Sequence, residues 1–320
     1  MKAMRCRKDE EEEGRSSSLR RSASRLDPSS VVASSASDAS VVSPPCKAKL
    51  KRNILFYVQQ HGANTGTKNN KIRTDRSNQT VMDYVSSTQR RNWLYTPDDL
   101  DAQRTVARNR ALKQTHQTEF TPVMERRLLA HYGLVLLKLC RTLKLPDKVM
   151  TSACSYLRRF YVKKSCLEVD PQGIVLTCLY LACKIEDCYL SAERVSNVGG
   201  IPEDIILKSE LVLLQGLDFD LACHCVFKAL AGGASIGPPD VSAREKMERL
   251  LVTDAVLLHT PGQLARYCLG ATNNDDDSDK DVRRGLDRLH EEGKEAQVAE
   301  SSEETVKIDK LLKSERKRIK

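Results

Sequence analysis

The segment Ile174-Val175-Leu176-Thr177-Cys178-Leu179-Tyr180-Leu181-Ala182-Cys183 is apolar on nearly every side of a helix and meets its first charge at Lys184. Pro171 stands three residues before it, where a proline suits the first helical turn. A helix without a polar face has to be surrounded by other helices. The segment therefore predicts an all-α bundle with this helix as its axis.

The neighbouring sequence supplies the surrounding helices. One is predicted over 97–113, with Asp98, Asp99 and Asp101 early and Arg108, Arg110 and Lys113 late, as the helix dipole favours. A second, over 122–142, carries Leu128, Leu129, Tyr132, Val135, Leu136, Leu139 and Cys140 at helical spacing. Pro146 opens a third, with Val149, Met150, Ala153, Cys154, Leu157, Phe160 and Tyr161 on one face. Pro202 precedes a fifth, over 203–217, that is amphipathic through Ile206, Leu213, Leu214 and Leu217. The order helix, proline break, apolar helix returns more weakly as AREKMERLLVTDAVLLH, Thr260-Pro261 and GQLARYCLGA, which suggests two related bundles in tandem. With 5% aromatic residues, 15 Gly and 11 Pro among 320 residues, a sandwich or barrel of many strands and turns is disfavoured.

Charge distribution narrows the function classes. The chain carries a formal net charge of +9, yet residues 128–272, where the periodicity lies, hold 16 basic and 15 acidic groups. A nucleic-acid-binding domain needs its excess charge on the folded part, where it can follow phosphates. Direct nucleic-acid binding is not expected. No apolar run approaches a membrane span and no secretory leader is visible at Met1, so a soluble intracellular protein without membrane contact is expected. The eleven cysteines form no C-x-x-C pair and fall largely among Leu, Ile and Val, which favours buried thiols over disulfides or a zinc site. No metal or cofactor is expected.

Enzyme signatures are also missing. Glycine-rich nucleotide loops and H-E-x-x-H are absent, and GASIG at 233–237 matches a nucleophile elbow around Ser235 only nominally, because a helical segment precedes it and Pro238-Pro239 follow. The informative exceptions are two charges. Lys184 ends the apolar helix, and Glu210 lies four residues after Ile206 and four before Leu214 on the apolar stripe of the next. On spacing alone, Lys184 could complement the helix dipole while Glu210 is satisfied internally. Alternatively, both stand at the edge of a flat apolar surface formed by Leu181, Ile185, Leu214, Phe219 and Leu221 and grip a partner.

The segment ACSYLRRFYVKKSCLEVDPQGIVLTCLYLACKIED at 153–187 resembles the second and third helices of a cyclin box, and ILKSELVLLQGLDFDL at 206–221 resembles its fifth helix and exit. SSTQRRNWLYTPDDL at 86–100 and VTDAVLLHTPGQLA at 252–265 are similar to the cyclin of the CDK-activating kinase, which is also part of general transcription factor IIH. The resemblance implies tandem cyclin-box bundles with flanking N- and C-terminal helices: a disordered Ser/Arg-rich tail at 1–80, an extension and helix at 81–121, a first box at 122–221, a divergent second box with an acidic break at 222–302, and a C-terminal helix at 303–320. It implies a non-catalytic nuclear regulator that binds and activates a cyclin-dependent kinase, acting on other such kinases and on RNA polymerase II, with an assembly factor and transcription factor IIH as further partners. The kinase-binding residues it implies are Lys184, Glu210, Leu181, Ile185, Glu186, Leu214, Phe219 and Leu221. MERRL at 124–128 has no tryptophan after it, so docking of Arg-x-Leu substrates is not expected. Alternatives are a transcriptional cyclin of the C, K or L type, a helical scaffold without a kinase, and a protein like transcription factor IIB. The last needs paired C-x-x-C near the N-terminus, where Cys6 and Cys46 stand alone.

Overall fold

In the computed structural model, residues 84–113, 118–233, 240–270, 277–299 and 303–319 are described. The tail at 1–80 and Ser235 lie outside the described residues. A 3-10 turn at Tyr84–Ser86 leads into α1 (Thr88–Trp93) and α2 (Pro97–Ala111). Then come α3 (Pro122–Thr142), α4 (Asp147–Lys163), α5 (Pro171–Ile185), α6 (Ala192–Gly199) and α7 (Glu203–Gly216). After these follow α8 (Val226–Gly233), α9 (Val241–Leu251), α10 (Ala255–Leu258), α11 (Pro261–Cys268), α12 (Asp277–Ala299) and α13 (Glu303–Ile319). Among the described residues there is no strand.

Local chemistry explains the boundaries. Pro97, Pro122, Pro171 and Pro261 occupy the first turns of their helices, while Pro146 and Pro202 sit immediately outside α4 and α7. A proline lacks an N–H that the first turn could not have bonded within the helix in any case. The hydroxyls of Thr96, Thr121, Ser191 and Thr260 accept backbone N–H groups at their helix starts, and Thr260 forms a reciprocal capping box with Gln263.

The expected axis, α5, packs against α3, α4, α6 and α7. It is nevertheless not the most enclosed helix. Every residue of α4 from Val149 to Val162 is buried, because α4 also contacts α2, α8, α9 and α10. The burial includes polar groups with partners: Thr151 donates to the Asp147 carbonyl, Ser152 to Glu186, Arg158 to Asp254, and Arg159 to the Ala222 carbonyl. A periodicity search sees only one apolar face of this helix, whereas hydrogen bonds let the opposite face be buried as well.

The later helices form a second packed group, with α11 against α8 and α9, and α12 laid across α3, α9 and α11. Of the acidic break expected at 273–279, residues 273–276 lie outside the described residues, and the chain that follows forms α12 from Asp277 to Ala299. Its Leu286, Leu289 and His290 are buried. Gly293 lets it approach α9 so closely that a Cβ there would lie 2.5 Å from the Arg249 carbonyl oxygen. The C-terminal helix α13 packs on α3 through Ile308 and Leu312, with Tyr132 donating to Asp309 at 3.2 Å.

Candidate functional site

α5 and α7 lie side by side. The Thr177 hydroxyl donates to the Gly173 carbonyl at 3.0 Å and reaches the Ile206 carbonyl at 3.4 Å, and a Cβ on Gly173 would touch Ile205 at 3.4 Å. Further along, Lys184 meets Glu210. Contacts that advance together on both helices mean that the two run in the same sense, so the exposed end of α5 arrives beside the middle of α7.

There the Lys184 Nζ donates to Glu210 Oε1 at 2.5 Å. The Lys184 side chain is 47% exposed and that of Glu210 20%. The ammonium also stands 5.1 Å from the centroid of the Tyr180 ring, a cation–π distance that restrains the flexible lysine. Such a half-exposed pair contributes about 0–1 kcal/mol to stability. It does, however, hold one cation and one anion in fixed register at the surface, with further lysine N–H donors directed to solvent.

The other residues expected here divide differently. Leu181, Ile185, Leu214, Phe219 and Leu221 are only 2–7% exposed and belong to the core beneath the pair. The expectation that they form a flat exposed apolar surface is corrected: α7 covers the α5 residues, and the exit turn folds Phe219 and Leu221 inward. That turn places Asp218 and Phe219 at φ 51° and 57°, with the Phe219 N–H bonded to the Leu214 carbonyl at 2.9 Å. Glu186 is also turned inward, accepting the Ser152 hydroxyl at 2.7 Å, and Lys148 donates to its backbone carbonyl. It closes the end of α5.

Exposed apolar area on α7 comes instead from Leu207, one turn before Glu210, and from Ile205 and Val212 on the opposite side of the helix, each 39–44% exposed, with Tyr189 exposed just beyond α5. These residues were not anticipated. Their signal was an excess: Ile205-Ile206-Leu207 supplies three apolar residues where a one-sided helix buries one.

The exit of α7 is tied to the N-terminal extension. Asp220 accepts Thr88 Oγ1 at 2.7 Å, Asn92 Nδ2 at 2.9 Å and Trp93 Nε1 at 3.0 Å. The Arg159 guanidinium lies 5.2 Å from the Trp93 ring centroid and donates to the Ala222 carbonyl at 3.0 Å. The extension thereby buttresses the turn that ends α7.

A cavity of about 260 Å³ lies elsewhere, between α2, α3 and α4. Three of its four basic groups are paired with carboxylates, Arg104 with Asp254, Arg108 with Glu125 and Lys164 with Glu168, and Arg126 is the fourth. Among the described residues no group of three His, Cys, Asp or Glu is placed to hold a metal ion, and no helix is long and apolar enough to cross a membrane.

Known proteins resemble the chain over this region. The family described as "Cyclin, N-terminal domain" matches residues 98–222, which contain α5 and α7. Cyclin-H1-1 of Arabidopsis thaliana is 31% identical over 241 residues, covering 60% of this chain and 71% of that protein. Cyclin-H of Xenopus laevis is 32% identical over 219 residues, covering 59% and 68%. Among solved structures, a chain of the CAK complex from Chaetomium thermophilum bound to ATP-gamma-S superposes with a TM-score of 0.50 at 25% identity, covering 74% of this chain and 78% of that one.

Proposed function

This chain belongs to the cyclin family, and on that premise we propose that it is the regulatory subunit of a cyclin-dependent kinase of the CDK-activating, transcription factor IIH type. It contributes no catalytic group and works in the nucleus, where the kinase phosphorylates RNA polymerase II and other kinases of its own class. Residues 122–221 are assigned as the first cyclin box and 222–302 as the second, flanked by the extension at 81–121 and the helix at 303–320.

The observation that carries this reading is the surface ion pair of Lys184 and Glu210 on adjoining helices inside the matched domain. A kinase is active only with its regulatory helix pressed inward, so that its glutamate meets the phosphate-positioning lysine. A free kinase populates that state weakly, and a protein that binds only the inward form shifts the population by its differential affinity. Moving it from 1:99 to 99:1 takes about 5.5 kcal/mol. Helix ends carry unbonded N–H and C=O groups. Lys184 offers donors and Glu210 an acceptor to such an end, while Leu207, one turn before Glu210, offers exposed apolar area beside them.

The test uses three variants of the full chain: Lys184→Ala, Glu210→Ala and the exchange Lys184→Glu/Glu210→Lys. Each is expected to weaken kinase binding by about 2–5 kcal/mol, as loss of a buried interfacial charge does. Helicity and melting should stay near wild type, because the pair itself adds so little stability. The exchange restores the internal ion pair with its polarity reversed, so recovery of kinase activation by the exchange would make the pair merely structural and sink the assignment.

A further inference from the structure

The end of α5 brings two thiols together. The Glu186 N–H donates to the Ala182 carbonyl at 2.9 Å, Asp187 takes φ 54°, and the Cys188 N–H donates back to the Cys183 carbonyl at 2.9 Å. In this helix-ending motif the residue after the left-handed one folds onto the last turn, and its side chain meets the one five positions earlier. Here both are cysteines. The closing bond between their backbones brings the two side chains to the same end of the helix, where Cys183 is 1% exposed and Cys188 is partly open to solvent. Both are reduced. Between them in the chain stand Lys184, Ile185, Glu186 and Asp187.

We propose that Cys183 and Cys188 are a reversible oxidation site, where a hydroperoxide joins the two sulfurs in a disulfide that deforms the end of α5 and weakens partner binding at Lys184. The reaction begins at Cys188, which solvent reaches. Its thiolate attacks a peroxide oxygen, the O–O bond breaks, and with hydrogen peroxide the products are a sulfenic acid on Cys188 and water. The Cys183 sulfur then gives up its proton and attacks the Cys188 sulfur; the S–S bond forms, the S–O bond breaks, and hydroxide leaves as a second water. Two thiols and one peroxide become one disulfide and two waters, with two electrons passing from sulfur to oxygen.

Burial pushes the Cys183 thiol up to about 12, so Cys188 rather than Cys183 meets the oxidant first, and Cys183 attacks only as it gives up its proton. The S–S bond is about 2.05 Å long, so the sulfurs must move inward from nonbonded contact. The α5 end cannot absorb that movement freely, since Lys148 holds the Glu186 carbonyl and Ser152 holds its carboxylate. Lys184, one residue from Cys183, is displaced relative to Glu210. A loop this short gains little from closure in the unfolded state, which makes the bond readily reducible and therefore a switch. The effect on the partner rests on the function proposed above; formation of the disulfide does not.

The experiment treats the full chain with hydrogen peroxide, quenches it with catalase, alkylates it and digests it with trypsin without reductant. Cleavage after Lys184 separates the thiols, so peptides 165–184 and 185–194 stay together only through a disulfide. The expected product is that linked pair, assigned by fragmentation to Cys183, released by dithiothreitol and absent from Cys188→Ser. Over-oxidation of Cys188 without a link, or a dominant link from Cys188 to Cys140, overturns the site. In the second arm, the quenched protein is mixed with the kinase. Oxidised wild type should bind at least about tenfold more weakly, a difference of about 1.4 kcal/mol, with reductant restoring affinity and Cys188→Ser indifferent to peroxide. A disulfide with unchanged affinity overturns the regulatory effect, whereas a reduced protein that never binds the kinase overturns the proposed function and leaves the oxidation site standing.

Discussion

Replacing Asp254 with asparagine should destabilise the protein more than its place in a short inter-helix turn suggests. Its two carboxylate oxygens receive Arg104 Nη2 and Nη1 at 2.6 Å each, and Oδ1 also receives Arg158 Nη1 at 3.2 Å. The Arg158 side chain is 1% exposed and that of Asp254 7%, and the Arg158 Nε and Nη2 atoms are buried without a hydrogen-bond partner among the described residues. The carboxylate is thus the direct counter-charge for a fully buried guanidinium, and it joins α2, α4 and the turn between α9 and α10. Burial by itself would raise its pKa, but Arg104 and then Arg158 outweigh burial and hold it well below the usual carboxylate range.

Asparagine keeps the shape and removes the charge. Stranding one member of a buried pair costs about 3–5 kcal/mol. At roughly 2–4 °C per kcal/mol for a domain of this size, the melting temperature should fall by roughly 6–20 °C. Thermal melts by far-UV circular dichroism read this directly. The double variant Asp254→Asn/Arg158→Met, which removes the stranded cation, should recover part of the loss. The pH dependence follows in sign: a depressed folded pKa gives stability that is complete above the unfolded carboxylate value of about 4 and is lost as pH falls through the folded value, so the acid limb should be shallower in Asp254→Asn. A melting shift of less than about 2 °C, with no rescue by Arg158→Met, would refute the argument that this carboxylate neutralises the buried Arg158.

Gly216→Ala should be destabilising, because a Cβ there would lie 2.4 Å from Cδ2 of the fully buried Phe160 ring; overpacking of this kind costs about 1–3 kcal/mol or more, measurable as a lower urea midpoint. Burial holds His259 down to about 4, so the native state refuses a proton that the unfolded chain accepts near 6.5. Stability should therefore be complete above about pH 6.5 and decline as pH falls toward 4, and urea titrations of His259→Gln should show a flatter profile across that window. Asp220→Ala removes the acceptor shared by Thr88, Asn92 and Trp93; amide exchange in residues 88–93 should accelerate at least about tenfold, and unchanged protection would mean that packing alone holds α1.

Most helices were legible because their signals are local. A proline marks the start and a stripe repeating every three or four residues marks the buried face, so α3, α5 and α7 could be drawn from the chain alone. Lys184 and Glu210 were legible for the opposite reason, each being a polar exception in an apolar run. Yet an exception does not disclose its own direction. Arg158 and Arg159 are equally conspicuous in α4, and both are buried, because their partners stand far away in the chain, Asp254 at a separation of 96 residues and the Ala222 carbonyl at 63. A local window registers the cation and cannot see what neutralises it. The same blindness misplaced Leu181 and Ile185: a helix apolar on all sides has no phase, so nothing in it tells which side α7 will cover. In α12 the acidic residues hid a stripe of Val282, Leu286, Leu289, Gly293 and Ala296 whose spacing is helical throughout. Whether a charge becomes a core tie or a surface handle is decided by what its counter-charge leaves over. Asp254 is consumed on both oxygens by Arg104 and the buried Arg158, whereas the half-exposed Lys184 meets Glu210 through one oxygen, which is why the proposed binding role falls on that pair and not on Asp254.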